Sequence, residues 1–288
     1  MFEGDVVENS GKENPMNKKT YIVFILSALL IMPLASCSQV ALTGRKQLNL
    51  IPAQLINSMS FSNYSQFLSE NKLSNDVQQS EMVKRVGPGI QRSVEQYCAQ
   101  NGMSDILAGY QWEFNLVEDD QINAWCMPGG KVVIYTGLMK VARDETGLAV
   151  VMGHEIAHAV AKHGGERMTQ GLLVEVGAQS LAIALEEKPA QTQELFMKSY
   201  GLGTEIGVLL PYSRVHEKEA DHMGLIFMAM AGYNPNEAVN FWQRMAEAGK
   251  DKGYVPEILS THPADATRIR NIQNFLPEAM KYYKPAGG

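Results

Sequence analysis

The 288-residue sequence predicts an α+β fold in which a small antiparallel sheet is followed by a long run of helices. Two patterns carry this reading. Tyr110-Gln-Trp-Glu-Phe-Asn-Leu-Val117 alternates with period two, as a half-buried strand does, whereas the chain beyond residue 137 repeats its apolar residues every three or four positions. The composition, 45% apolar and 19% charged, is that of a folded globular chain rather than of a disordered, collagenous or coiled-coil one. The net charge of -6 provides no general basic footprint, so no nucleic-acid partner is expected. Three cysteines are too few for a disulfide scaffold.

The N-terminus reads as an address. Lys18 and Lys19 precede an uncharged apolar run over 21–36, too short for the roughly 20 residues that span a bilayer and matching a secretory signal instead. Leu34-Ala35-Ser36-Cys37 resembles a bacterial lipobox, which implies cleavage before Cys37 and lipidation there. Residues 1–15 are acidic for a region ahead of a signal, and a start at Met16 would give Met-Asn-Lys-Lys. The expected organisation is an extension and signal over 1–36, a lipidated tether over 37–51 and one domain over 52–288. An exported chain could pair Cys98 with Cys126, but the apolar strand-like run around Cys126 suits free buried thiols better.

In the domain, 52–71 and 77–101 read as helices, the second interrupted by Gly87-Pro88-Gly89. After the period-two strand, 121–126 reads as a second strand, Pro128-Gly129-Gly130 as a turn, and the β-branched Lys131–Thr136 run as a third strand. Helices are then expected over 137–142, 145–163, 166–186, 190–200, 215–231, 235–249 and 264–276.

The chemistry concentrates in His154-Glu155-Ile156-Ala157-His158, within a helix that Asp144 would cap. Residues four apart share a helix face, so both imidazoles point to one place, where neutral histidine is a good Zn²⁺ ligand. Glu155 stands on the adjoining edge, near enough to act as general base without ligating. The apolar neighbours Val150, Val151, Met152, Ile156, Ala157 and Val160 argue for burial, and a buried glutamate is costly unless a cation accounts for it.

Catalytic zinc needs a third protein ligand and an open position. A histidine at 164 is ruled out, because that residue is Gly. His163 falls about 140° round a continuous helix from His158 and reads as a surface or helix-end residue. Glu217 and Asp221 are four apart on a later helix. Glu217 would complete a His₂Glu set, and Asp221 would accept the N–H of a ligand histidine. Glu219, about 200° from Glu217, should face away.

Four features in order make the chain similar to metallopeptidase family forty-eight, which includes HtpX-like, Oma-type and CAAX prenyl endopeptidases. They are His154–His158, the Glu217–Asp221 segment, Asn123-Ala-Trp-Cys-Met-Pro-Gly-Gly130 before a strand, and Thr261-His262-Pro263 followed by Arg268. With no further 18-residue apolar run and only a short stretch after Pro263, the chain resembles the short lipoprotein branch, without further spans or a tetratricopeptide array. The resemblance implies a mainly helical zincin-like (gluzincin) domain with one Zn²⁺. It also implies an endopeptidase in which Glu155 takes the proton of a metal-activated water. Asn123 and Ala124 would flank a strand that pairs with extended substrate, a binding mode tolerant of many sequences. His262 would either sit on the zinc and hold the enzyme shut or face the oxyanion. The implied substrates are unfolded or misfolded envelope proteins. The implied location is the periplasmic side of the cell envelope through a lipid anchor at Cys37, with Ser38 suggesting the outer membrane. A zinc-stabilised, non-proteolytic chaperone or assembly factor is the alternative; Glu155 argues against it, because a structural zinc needs no base and is closed by four protein ligands.

Overall fold

Two short paired strands, β1 (Cys37–Gln39) and β2 (Lys46–Leu48), open the described chain. This computed structural model describes residues 37–176, 189–200, 213–251, 256–263 and 265–285. The signal over 1–36 and the far end of the helix expected over 166–186 lie outside the described residues. In the segment expected to be a tether, Val40 and Ile51 are buried and Gln47 donates its side-chain N–H to the carbonyl of Ala161, so the segment is seated on the fold.

Helix α1 (Ala53–Glu70) and helix α2 (Val77–Gln100) follow. Helix α2 is continuous through Gly87-Pro88-Gly89, contrary to the expected interruption. The packing explains this. A Cβ on Gly87 would lie 2.5 Å from the Phe114 ring, so the glycine lets the helix press directly on the sheet. That contact holds the helix together across the hydrogen bond that Pro88 cannot donate.

The sheet comprises β3 (Glu113–Val117), β4 (Ala124–Met127) and β5 (Lys131–Tyr135), in the order β3-β5-β4. β4 and β5 form the expected antiparallel hairpin, with Ala124 opposite Ile134 and Met127 opposite Lys131. β3 pairs with β5 in parallel, Glu113 opposite Lys131 and Val117 opposite Tyr135, so the sheet is mixed rather than wholly antiparallel. The cause is the connection over 118–123, which carries the chain past the place that β5 then fills. The turn takes positive φ at Gly129 (80°) and Gly130 (83°), and a Cβ on Gly130 would lie 2.5 Å from Trp112. Both faces of the sheet are covered. Ala124, Cys126, Val132 and Ile134 join the larger core, while Trp125, Met127, Val133 and Tyr135 join a second one with Ile56, Tyr64, Met168 and Phe196. A strand buried on both sides has no polar face, which is why Val132-Val-Ile134 reads as an unbroken β-branched run.

Eight helices complete the described chain: α3 (Thr136–Ala142), α4 (Glu145–Val160), α5 (His163–Val176), α6 (Pro189–Ser199), α7 (Arg214–Met230), α8 (Glu237–Asp251), α9 (Glu257–Thr261) and α10 (Ala266–Ala279). Asp144 caps α4 by accepting from the Gly147 N–H at 2.9 Å, and Ser213 caps α7 by accepting from that of His216. Every residue from Gly147 to Val160 is buried, which makes α4 the axis of the larger core. No described helix is long and apolar enough to cross a membrane. Cys98 and Cys126 are separate buried thiols.

Helices α4 and α7 meet at glycine on both sides. A Cβ on Gly153 would lie 2.9 Å from the Gly224 carbonyl oxygen, and one on Gly224 would lie 2.9 Å from the backbone N of His154. Neither clash can be relieved by rotating a side chain. Gly153→Ala is expected to destabilise the protein by about 1–3 kcal/mol through overpacking, despite the better helix propensity of alanine. Thermal denaturation of the variant checks this, and an unchanged or raised Tm would contradict it.

Candidate active site

The glycine crossing sets the site. With the two backbones in contact, His154 and His158 on α4 face Glu217 and Asp221 on α7. His262 directly follows α9, and Arg268 stands in the first turn of α10. All of these side chains are buried.

His154, His158, Glu217 and His262 each contribute one donor atom to a group whose members lie within 4.8 Å of one another. The individual separations are informative. His154 Nε2 is 3.1 Å from His158 Nε2 and 3.3 Å from His262 Nδ1. The Glu217 oxygens lie 3.5 Å from His154 Nε2, 3.3 Å from His158 Nε2 and 2.8 Å from His262 Nδ1. Four donors at 2.0–2.1 Å from a zinc ion in tetrahedral array would be about 3.3 Å apart. The donor set therefore has the spacing of a tetrahedral metal site.

Charge points the same way. Glu155, Glu217 and Asp221 are buried carboxylates, and Arg268 is the guanidinium that faces them. Its Nη2 lies 2.7 Å from Asp221 Oδ1 and its Nη1 lies 3.1 Å from Glu217 Oε2, while its plane sits 3.3 Å over the Trp242 ring. Ionised together, these groups leave two negative charges, which a divalent cation would neutralise. Glu155 Oε1 is buried and accepts no hydrogen bond among the described residues, whereas Glu217 Oε2 is met by the Arg268 guanidinium. A buried oxygen that accepts none is costly unless something else satisfies it.

Burial drives His158 well below the usual imidazole range, leaving it in the neutral form that ligates. For His154, burial and the Arg268 charge both oppose protonation, but hydrogen bonds to Asp221 and Glu217 outweigh them and raise it to about 9. Burial alone would raise Glu217, yet His262 and Arg268 hold it well below the carboxylate range. Glu155 is raised, chiefly by burial. A carboxyl with a raised pKa suits a group that must take up and release a proton.

Asp221 Oδ1 lies 3.0 Å from His154 Nδ1, the nitrogen that points away from the donor cluster. Asn123 and Ala124 do not join the cluster. The Asn123 side chain accepts from the Ala124 N–H at 2.9 Å, and its carbonyl accepts from Tyr135 N at 3.2 Å. Asn123 immediately precedes β4 and Ala124 opens it; β4 packs against α4, and the Cys126 thiol is raised well above its usual value by burial and, secondarily, by the Glu155 charge. Cys37 stands at the first position of β1.

One residue departs from the sequence expectation, and a second keeps to it but has partners that the sequence did not show. His163 is fully buried rather than at the surface. Helix α4 ends at Val160, and Lys162 takes a positive φ of 58°, so the chain turns and starts a new helix at His163. The 140° offset of a continuous helix does not apply, and His163 Nδ1 comes to lie 3.0 Å from His158 Nδ1. Glu219 does face away from Glu217's cluster, but it faces a second buried one. It accepts from His163 Nε2 at 3.1 Å and from Arg45 Nε at 3.0 Å. Arg45 also holds Glu166, which accepts from His216 Nε2 at 3.0 Å. Burial pushes His163 down to about 4, whereas Glu166 is held at about 2, against burial, by His216 and Arg45. The only sequence signal for this layer was the third histidine close behind the first two.

Comparison with known proteins agrees with this geometry. Residues 86–276 match the model of peptidase family M48. The chain is 31% identical to the mitochondrial metalloendopeptidase OMA1 of Schizosaccharomyces pombe, over 96% of this chain and 77% of that one. It is 26% identical to the mitochondrial metalloendopeptidase OMA1 of Homo sapiens, over 91% of this chain and 48% of that one. It is 29% identical to the β-barrel assembly-enhancing protease of Escherichia coli, over 57% of this chain and 34% of that one. The chain thus spans three quarters of the yeast relative but half or less of the human and bacterial ones. With its donor cluster inside the matched region, the chain belongs to peptidase family M48, the zinc-dependent metalloendopeptidases.

Proposed function

We propose that the chain is an endopeptidase of the bacterial cell envelope that hydrolyses unfolded or misfolded proteins, with His154, His158 and Glu217 holding zinc and Glu155 as general base. The observation that carries this is the tetrahedral spacing of the donor atoms beside a buried carboxylate with an unsatisfied oxygen. Zinc, when bound, polarises the scissile carbonyl and acidifies the attacking water. Glu155 takes the proton from that water and delivers it to the leaving amine. Asp221 holds the His154 ring by accepting from its Nδ1–H, and Arg268 balances the charge of Glu217 and Asp221. Substrate would add as a strand at the β4 edge near Asn123 and Ala124. Support comes from β4 having β5 as its one strand partner among the described residues, and from its packing against α4, the helix that carries Glu155.

His262 acts as a latch in this proposal. Its Nδ1 has the spacing of a fourth ligand, and its Nε2 is turned towards Glu155 at 3.7 Å. Opening requires the short α9–α10 link to withdraw the ring. The same fourth donor supports the second reading, a zinc closed by four protein ligands in a non-proteolytic chaperone. The envelope location rests on the lipobox-like Leu34–Cys37 segment.

Casein degradation tests the peptidase. Glu155→Gln should retain zinc and lose about 10²–10⁴-fold in cleavage rate. His262→Ala should raise cleavage on the order of tenfold, the gain expected when an open state populated at roughly one part in ten becomes the only one. Unchanged or reduced activity in His262→Ala would remove the latch. Zinc in every variant with cleavage by none would favour the chaperone. The anchor has its own test: labelled fatty acid should enter the wild-type chain and not Cys37→Ser, and persistent labelling of that variant would remove Cys37 from the proposal.

A further inference from the structure

The second buried cluster contains Glu166 and Glu219, two carboxylates with almost no exposure, and the cation between them comes from outside the catalytic helices. Arg45 donates through Nη1 and Nη2 to the two Glu166 oxygens, at 2.9 and 2.7 Å, and through Nε to both Glu219 oxygens, at 3.0 Å. Thr43 Oγ1 also donates to Glu219. A planar guanidinium can serve two carboxylates in this way because its donors form a fixed fork. Glu219 in turn accepts from His163, whose other ring nitrogen meets His158.

The proton positions along this chain follow from one requirement. If His158 ligates through Nε2, its proton is on Nδ1 and needs an acceptor. His163 Nδ1, at 3.0 Å, is that acceptor, so His163 carries its own proton on Nε2 and donates it to Glu219 at 3.1 Å. The two histidines of the motif are therefore held differently. Through Nδ1, His154 meets the Asp221 carboxylate, while His158 meets a second imidazole that leads on to Glu219. His216, stacked on His163 with ring centres 4.4 Å apart, keeps that second ring from turning, and Glu166 holds His216.

We propose that His163, Glu219 and Arg45 are positioning residues for the metal: a relay from the segment ahead of the catalytic helices that orients His158 and sets its strength as a ligand. The inference rests on the reading of His154, His158 and Glu217 as zinc ligands. It adds that residues 43–45 belong to the zinc site although they touch no ligand atom.

The test measures metal binding rather than turnover. Zinc affinity by chelator competition, the visible spectrum of the cobalt-loaded protein, and the Tm of the metal-free protein are recorded on the full chain. Glu219→Gln, which keeps the shape and removes the charge, and His163→Phe, which keeps the stacked ring and removes the acceptor, should each weaken zinc about 10–100-fold and shift the cobalt bands. His163→Asn, whose amide oxygen can stand where Nδ1 stood, should recover most of the affinity. Arg45→Lys should fall between wild type and Glu219→Gln. Wild-type affinity and spectrum in both Glu219→Gln and His163→Phe would overturn the relay. So would a fall in metal-free Tm with zinc affinity unchanged, since that is the mark of a purely structural cluster. Should His163→Phe fail to fold, Glu219→Gln and His163→Asn decide between the same outcomes. A wild-type chain that binds no zinc would instead overturn the ligand assignment.

Discussion

Helices α4 and α7 cross where neither carries a side chain, and the geometry of the site depends on that approach. The Gly153 and Gly224 backbones are close enough that a methyl group on either would strike the other helix. One residue along from Gly153 is His154, and one turn back from Gly224 are Ala220 and Asp221. The donor spacings thus follow from a separation that the backbones set, not from the reach of flexible side chains. Interiors packed at this density do not adjust continuously, so a metal-sized gap between the helices is a property of the crossing itself.

The second organising fact is the management of buried charge. Five carboxylates, Glu155, Glu166, Glu217, Glu219 and Asp221, are taken out of water within two adjoining clusters. Each cluster has one arginine. Arg268 serves Glu217 and Asp221, and Arg45 serves Glu166 and Glu219. The first cluster sets three carboxylates against its one arginine where the second sets two, and it is in the first that the histidine nitrogens converge. In the second the histidines are shared out one to each carboxylate, so no comparable set of donors gathers. Metal-binding capacity here reflects local charge imbalance as much as the presence of histidine.

Much of this was legible in the sequence, for physical reasons that apply residue by residue. The His154–His158 and Glu217–Asp221 pairs were readable because both lie within unbroken helices, where four-residue spacing fixes a common face. The hairpin was readable because Pro-Gly-Gly at 128–130 demands an unusual backbone. The role of His163 was not, because its direction depends on a positive φ at Lys162, a residue that gives no hint of leaving the helix. Nor was the continuity of α2 through Pro88, since the Phe114 contact that overrides the breaker comes from a distant strand. The parallel pairing of β3 with β5 escaped because strand order depends on where a six-residue connection travels, which no local pattern encodes. Arg45 lay in a stretch that reads as a tether, and its partners are more than a hundred residues away.

Helix α5 begins at His163 and carries Glu166, and α7 carries His216 and Glu219, so Arg45 joins two catalytic-side helices from a third part of the chain. The larger apolar core begins at Val40, ahead of α1, whereas the family match begins at residue 86. Charge places the boundary in the same stretch as the core does, at Arg45. A fragment trimmed to the start of α1 would lose Val40 and Ile51 from its apolar interior together with the one guanidinium between two buried carboxylates. The functional boundary of such a chain lies ahead of its first helix, in a stretch of a few residues that both seals the core and balances the last buried charge.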